Sequence, residues 1–236
     1  MTNSSGPVSP ANFKNLFSRL QPKFSGLGQQ DAQEFLRYLI NGVHEELNRA
    51  TRRPRRSASP RAPKAADEAW SQYRDIVDDS PLVDLLVGQM CSTIVCCVCQ
   101  NKSSCWDPFW DLSLPLARGR HSCRLSDVVQ DFIAKETLDS DERPICSNCK
   151  KATRSTKQIK LSRLPQVMIL HLKKFTNDGY KLTSSEVKID RVLTFNENTT
   201  YTLKACISHH GHSSSSGHYT SHCEYGTKWI HFNDDR

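Results

Sequence analysis

No stretch of this sequence approaches the roughly 18 unbroken apolar residues that a membrane-crossing helix needs, so no membrane partner is expected. The opening residues, Met1-Thr2-Asn3-Ser4-Ser5-Gly6-Pro7, carry neither a basic flank nor an apolar block. The expectation is therefore a chain without an export signal, residing in the reducing cytoplasm or nucleus. That absence bears on the ten cysteines, because a reducing compartment favours metal ligation or a reactive thiol over a disulfide framework. Acids are missing from residues 49–64, where Arg49, Arg52, Arg53, Arg55, Arg56, Arg61 and Lys64 stand together. These cations equal the whole formal net charge of +7, so the rest of the chain is balanced. With Pro54, Pro60 and Pro63 among small residues, the stretch cannot bury a core. It reads as a flexible insert at about 49–66 between two helices, or else as a nuclear-import or polyanion patch. No basic folded face is left over, and nucleic acid is not an expected partner. No internal repeat is present.

What is there suits a globular fold: 236 residues, 37% hydrophobic and 24% charged, enough for one large domain or two small ones. Phe13, Leu16, Phe17 and Leu20 share one face of a short helix over 12–20, stopped by Pro22. From about Gln30 to Arg49, Phe35, Leu36, Leu39, Ile40, Val43 and Leu47 recur at helical spacing. Two more short helices are predicted over 67–73 and 81–86. The pattern then changes to strands. Leu112, Leu114 and Leu116 alternate with Asp111, Ser113 and Pro115, and further strands are predicted around Ile159–Leu161 and over 167–175, 187–195, 201–208, 218–225 and 228–232. Helices first and antiparallel strands later make an α+β fold.

Two Cys-x-x-Cys pairs, Cys96 with Cys99 and Cys146 with Cys149, have the spacing of a four-thiolate zinc site. Four sulfurs with no open position describe one structural ion. Residues 100–145 separate the pairs, so the site is expected to clip together the bases of a long excursion. Unligated core cysteines are the alternative reading, since Cys97 and Cys105 lie close by.

The C-terminal region offers a second constellation. Glu224-Tyr225-Gly226-Thr227 reads as a hairpin turn, and the resulting register sets His218 opposite Asn233. A half-residue shift makes the partner Asp234. An imidazole beside an amide or carboxylate is the oriented-base half of a nucleophilic triad. His209, His210 and His212 sit in what reads as a Gly/Ser-rich loop. No cysteine combines a helix N-terminus with a nearby imidazole, the setting that activates a thiol. Cys223 shares a strand with His218 at an odd offset, which points it to the other face.

Several blocks together resemble the ubiquitin-specific proteases, papain-like cysteine peptidases that remove ubiquitin. Gln29-Gln30-Asp31-Ala32-Gln33-Glu34-Phe35-Leu36 resembles their glutamine-rich helix, and Phe109-Trp110-Asp111-Leu112-Ser113-Leu114-Pro115 their fingers-to-palm strand. Leu164-Pro165 with Leu170-His171-Leu172-Lys173-Lys174-Phe175 resembles the next block, and Gly217-His218-Tyr219-Thr220 the histidine box. The paired cysteines fit the family's zinc site. The resemblance implies a thumb, palm and fingers: thumb helices over 1–90, zinc-bearing fingers over 91–165 and a palm over 166–236. It implies cleavage of the isopeptide bond after the ubiquitin C-terminal Gly-Gly, with ubiquitin and ubiquitinated proteins as partners. His218 would be the general base, Asn233 its orienting partner and Asp234 an assistant. Asp31 and Glu34 would hold the arginines of the ubiquitin tail, although Asp31 can equally cap its helix. Residues 208–217 would form a loop over that tail.

The family's Gly-Asn-Thr-Cys nucleophile block and its closing aromatic strand find no counterpart, so the expectation is a chain cut at both ends and inactive alone. A catalytically dead ubiquitin-binding module and a zinc-organised interaction scaffold are the alternatives.

Overall fold

The aromatic residues of the first helices find one another. In the computed structural model, which describes residues 9–26, 28–50, 63–116, 122–176, 179, 181, 182 and 186–234, helix α1 spans Ala11–Leu20 and α2 spans Ala32–Leu47. Phe17 and Phe24 are buried, and their ring centroids lie 5.3 Å apart, with Phe35 at 4.7 and 5.8 Å from them. Asp31 starts α2 by accepting a 2.8 Å hydrogen bond from the Glu34 backbone N–H. Helices α3 (Ala66–Ile76) and α4 (Pro81–Leu86) follow where the sequence places them, α4 beginning with Ser80 as its cap. The central part of the basic insert, residues 51–62, lies outside the described residues.

The apolar stripe of α2 does not run as its periodicity suggests. Val43 and Leu47 are 42% and 45% exposed, whereas His44 is 1% exposed. His44 takes the core position because it is fully partnered: Nδ1 lies 2.8 Å from Ser80 Oγ and Nε2 2.9 Å from Asp78 Oδ1. Ser80 Oγ already accepts from the Val83 N–H, so its hydroxyl hydrogen is free for Nδ1, and Nε2–H then donates to Asp78. The Tyr73 hydroxyl donates to the other Asp78 oxygen at 2.9 Å, and the Trp110 ring meets His44 edge-on at 5.1 Å. This buried latch ties α2 to the start of α4. His44→Ala is expected to cost about 2–4 kcal/mol, from a cavity plus two stranded hydrogen-bonding groups. Urea unfolding at unchanged m-value checks this, and a loss under about 1 kcal/mol would remove His44 from the structural core.

The strands come next. Strands β1 (Gly88–Cys96), β2 (Lys102–Phe109), β5 (Glu136–Leu138) and β6 (Ser155–Arg163) form one antiparallel sheet in the order β2-β1-β6-β5. Between them lie β3 (Leu112–Pro115), β4 (Ser122–Arg124) and helix α5 (Leu125–Ile133). After β7 (Leu170–Lys173) and β8 (Glu186–Lys188), β9 (Val192–Asn196) pairs with β10 (Thr199–Thr202), and β11 (Ala205–Ser213), β12 (Ser216–Tyr225) and β13 (Lys228–Phe232) make a three-stranded antiparallel sheet. The fold is α+β. Two ladders depart from the antiparallel expectation: β3 with β7 and β4 with β8 run parallel. Each partner returns only after a long excursion, which is the connection a parallel pair requires.

The larger core forms where these meet. Leu112 and Leu114, at 1% and 0% exposure, pack with Phe109, Leu125, Val128, Val129 and Leu193. Alternation along β3 sends both leucines inward, as the sequence pattern predicts. The predicted strand over 167–175 shrinks to Leu170–Lys173, and the one over 201–208 divides between β10 and β11.

Candidate functional site

The palm-side site stands on the β11–β12–β13 sheet. The last hairpin turns at Gly226 and Thr227, between paired Tyr225 and Lys228, so Glu224 and Tyr225 belong to β12 rather than to the turn. Gly226 has φ +60°, a conformation glycine adopts without strain. The register is therefore two residues from the predicted one, and a shift of two leaves every side chain on its predicted face. Pairing ends at Ser221 with Phe232, and Asp234 at φ +47° turns the chain. His218 Nε2 consequently meets Asn233 Oδ1 at 2.6 Å, while Nδ1 lies 3.9 Å from Asp234 Oδ2.

That geometry fixes the imidazole's chemistry. An amide oxygen can only accept, so Nε2 carries the hydrogen and donates it to Asn233. Nδ1 is left with its lone pair, on a side chain that remains 44% exposed. The arrangement is an oriented base with an accessible nitrogen. The opposing His210 is otherwise engaged, its Nε2 lying 2.8 Å from Thr220 Oγ1. Cys223 pairs with Ala205 and Ile230, one register step from the His222 row, on the face opposite His218 as predicted. Among the described residues, the recorded partners of His218 are Asn233, Asp234 and the His210 ring, none of them a thiol.

The histidine-rich segment is strand, not loop. Strand β11 carries His209, His210 and His212, and only Ser214 and Ser215 turn between paired Ser213 and Ser216. His209 was one imidazole among several in the sequence, with nothing to single it out. In the fold its ring sits between Phe175 and Tyr219, at 5.3 and 4.8 Å, and burial holds its protonation below the usual histidine range. Its Nδ1 is buried without a partner among the described residues. A Cβ on Gly217 would come within 2.1 Å of the His209 ring, so this close approach requires glycine.

Across a cleft of about 390 Å³ stands the N-terminus of α2, with Asp31 and Phe35 on one wall and Tyr219, Phe232 and Asp234 on the other. The cleft thus joins two regions separated by nearly the whole sequence. Asp31 Oδ1 is occupied in capping the helix. Glu34 holds Lys23 Nζ through both carboxylate oxygens, at 2.5 and 2.6 Å, and this hydrogen bond raises the lysine's pKa. Glu34 faces its lysine rather than the cleft lining.

The four predicted zinc ligands converge. The sulfurs of Cys96, Cys99, Cys146 and Cys149 all lie within 4.8 Å of one another, with Cys99 to Cys146 at 3.6 Å and Cys96 to Cys149 at 4.0 Å. Tetrahedral zinc–thiolate bonds of about 2.3 Å imply sulfur separations near ~3.8 Å, so the set fits zinc. The two knuckles are built alike. Gln100 and Lys150, each just past the second cysteine, take φ +57° and +56°, and their N–H groups donate to Cys96 O and Cys146 O. A hydrogen bond with the Thr153 hydroxyl pulls the Cys96 thiol down to about 6, while a hydrogen bond with Cys99 pushes Cys149 up to about 12. Four such sulfurs become thiolates together only around a cation. The cluster clips together the two ends of the 100–145 excursion, as the spacing suggested, since Cys99 and Cys146 flank that segment. It closes the far end of the four-stranded sheet, because β1 runs from Gly88, opposite Phe109 in the core, outward to Cys96.

Comparison with known proteins accords with this architecture. A family model described as ubiquitin carboxyl-terminal hydrolase matches residues 1–236. Ubiquitin carboxyl-terminal hydrolase 2 of Gallus gallus is 36% identical over 245 residues, covering 97% of this chain and 68% of the relative. The Homo sapiens protein of the same name is 38% identical over 251 residues, covering 96% of this chain but only 40% of the relative. Among solved structures, the SAGA DUB module of Ubp8, Sgf11, Sus1 and Sgf73 bound to monoubiquitin matches with a TM-score of 0.70 at 26% identity, covering 96% of this chain and 48% of the other. A second structure of that module, bound to ubiquitin aldehyde, matches with a TM-score of 0.67 at 25% identity.

Proposed function

Because the chain belongs to the ubiquitin carboxyl-terminal hydrolase family, we propose that it is the ubiquitin-holding and general-base portion of a thiol-dependent deubiquitinase acting on ubiquitinated proteins. The observation that carries this reading is the 2.6 Å contact between His218 Nε2 and Asn233 Oδ1. With Nε2–H held by the amide, Nδ1 removes the proton from a cysteine thiol. The thiolate attacks the carbonyl carbon after the ubiquitin Gly-Gly, and the leaving lysine amine takes the proton back from Nδ1. Water then gives its proton to Nδ1 and hydrolyses the acyl-enzyme. Asp234, 3.9 Å from Nδ1, favours the imidazolium that forms between these steps.

On this reading the reacting thiol comes from outside the ten cysteines, because among the described residues the partners of His218 include no thiol. Four form the metal cluster, and Cys223 faces away from His218. The thumb over 1–90 and the palm over 166–236 form the cleft that receives the ubiquitin tail, and the fingers over 91–165 bear on the ubiquitin body. Asp31 caps α2 through Oδ1 and offers Oδ2 to a tail arginine, while Glu34 exchanges Lys23 for a second one. All ten cysteines are unpaired, which suits the reducing cytoplasm or nucleus. Cys96, Cys99, Cys146 and Cys149 would hold a structural zinc ion, which would tie the end of the fingers together and take no part in the reaction.

Titration of the 236-residue chain with ubiquitin, beside an assay with a fluorogenic ubiquitin substrate, tests the proposal. Saturable binding without turnover is the expected result. Turnover abolished by changing one of the ten cysteines would place the nucleophile inside the chain. Absence of ubiquitin binding would overturn the reading in favour of a zinc-organised scaffold.

A further inference from the structure

Strands β11, β12 and β13 align three metal-ligating side chains that the proposed reaction leaves idle. Cys206 is the Cα partner of His222, and His222 is the partner of His231, so the three form one row across the sheet. Residues directly paired on antiparallel strands point to the same face, with neighbouring Cβ atoms roughly 4.5–5.5 Å apart. The row therefore presents one thiol and two imidazoles together, on the face opposite Ile207, Ser221 and Phe232. Cys206 and His222 also line one depression, walled by Leu203, Ile189, Trp229 and Arg191, whose guanidinium is paired with Glu224. The His222 and His231 rings stack at 4.4 Å between centroids, with 15° between their planes. Both histidines are exposed, and Cys206 is half-buried and free.

We infer that Cys206, His222 and His231 form a second metal site, taking one divalent ion of the zinc type. The chemistry of the donors selects the ion, since a thiolate and two imidazoles suit a borderline transition metal and not magnesium or calcium. Three protein ligands leave one tetrahedral position for water. The ligand atoms are not yet converged, because the rings lie face to face. Tipping the two rings toward each other brings their nitrogens to the ~3.3 Å edge that tetrahedral zinc–imidazole bonds define. Exposed side chains make such rotations within nanoseconds. The neighbouring charges do not compete for the ion: Glu224, in the adjacent row, is held by Arg191 at 2.8 Å and by Lys204. Because His222 shares a strand with His218 and His231 lies two residues before Asn233, the ion would staple together the strands that carry the proposed base and its partner.

Cobalt reports on this site. The chain is first filled with zinc to saturate the four-cysteine cluster, and Co²⁺ is then titrated while thiolate-to-metal absorption is followed. The expected result is one further equivalent bound, with a charge-transfer band that vanishes in Cys206→Ser and persists in Cys223→Ser on the other face. His222→Ala or His231→Ala should each weaken that binding by at least about 10–100-fold, the loss that removing a mere outer-shell partner already causes. Absence of the second equivalent overturns the site. So does a second equivalent whose affinity and band are indifferent to Cys206→Ser and His231→Ala. Circular dichroism of each variant, unchanged from the parent chain, separates ligand loss from misfolding.

Discussion

Stripping zinc from the four-cysteine cluster should unravel the end of the fingers and lower the melting temperature of the chain by about 10–20 °C. The argument is one of scale. Apparent zinc-binding energies of about 10–16 kcal/mol are folding energy when the site exists only in the folded chain. Here β1 and β6 pair along nine-residue strands and retain part of their order without the ion, so about 5 kcal/mol is a fair share of that total. For a domain of this size each 1 kcal/mol moves the melting point by roughly 2–4 °C. Replacing Cys146, which is buried and 3.6 Å from Cys99, by serine should act like chelation. Metal-free thiols add a pH dependence. Cys149 keeps its proton up to about 12 in the absence of an ion, so binding expels that proton, and affinity should rise as pH rises. Hydrogen exchange locates the effect: protection should be lost first near Cys96 and Ser155, which are paired at the zinc end, and last near Gly88. A chain whose β1 and β6 amides stay protected after chelation would show that the thiols pack without a metal.

The four-cysteine cluster was legible because its information is local. Two residues between cysteines set a knuckle, whatever the rest of the chain does. That it joins the ends of residues 100–145 was legible too; its place at the end of the four-stranded sheet was not, since only the pairing of β1 with β2 and β6 carries Cys96 there. Face assignment survived an error in register for a related reason. The predicted hairpin turn was misplaced, but the ladder moved by two residues, and strand side chains repeat every two, so His218 and Asn233 kept a common face. His44 shows the opposite case. A histidine within an apolar stripe reads as a solvent-facing polar residue, and the partners that allow its burial, Asp78 and Ser80, stand 34 and 36 positions away. Helix α5 was missed despite a usable signal. Leu125, Val128, Val129 and Phe132 follow helical spacing, and Asp127 accepts from the Arg124 N–H at 2.9 Å, yet the run is only nine residues long. Such a short apolar segment suits a strand about as well as a helix until its packing is known.

Asn233→Ala should disturb the proposed chemistry without disturbing the fold, and His218→Ala should abolish it. Asn233 makes its contact from beyond the end of β13, so its loss leaves the sheet ladder intact. What it removes is the acceptor that keeps the hydrogen on Nε2. In the parent chain, the imidazole nitrogens of His218 should show by nitrogen NMR a single dominant tautomer protonated at Nε2. In Asn233→Ala the two tautomers should mix, and Nδ1 then carries the hydrogen in part of the population. That fraction cannot accept a proton from a thiol. In the proposed hydrolysis, the expected penalty for His218→Ala is about 10²–10⁴ in kcat, the usual contribution of a positioned general base. Asn233→Ala should lose less, because a ring without its orienting partner still samples the reactive arrangement. Asn233→Asp tests the assignment most sharply. A carboxylate also accepts from Nε2–H, so it should restore the single tautomer and much of the rate. If Asn233→Ala leaves the tautomer unmixed, the 2.6 Å contact does not orient the ring, and the assignment of His218 as the base fails with it.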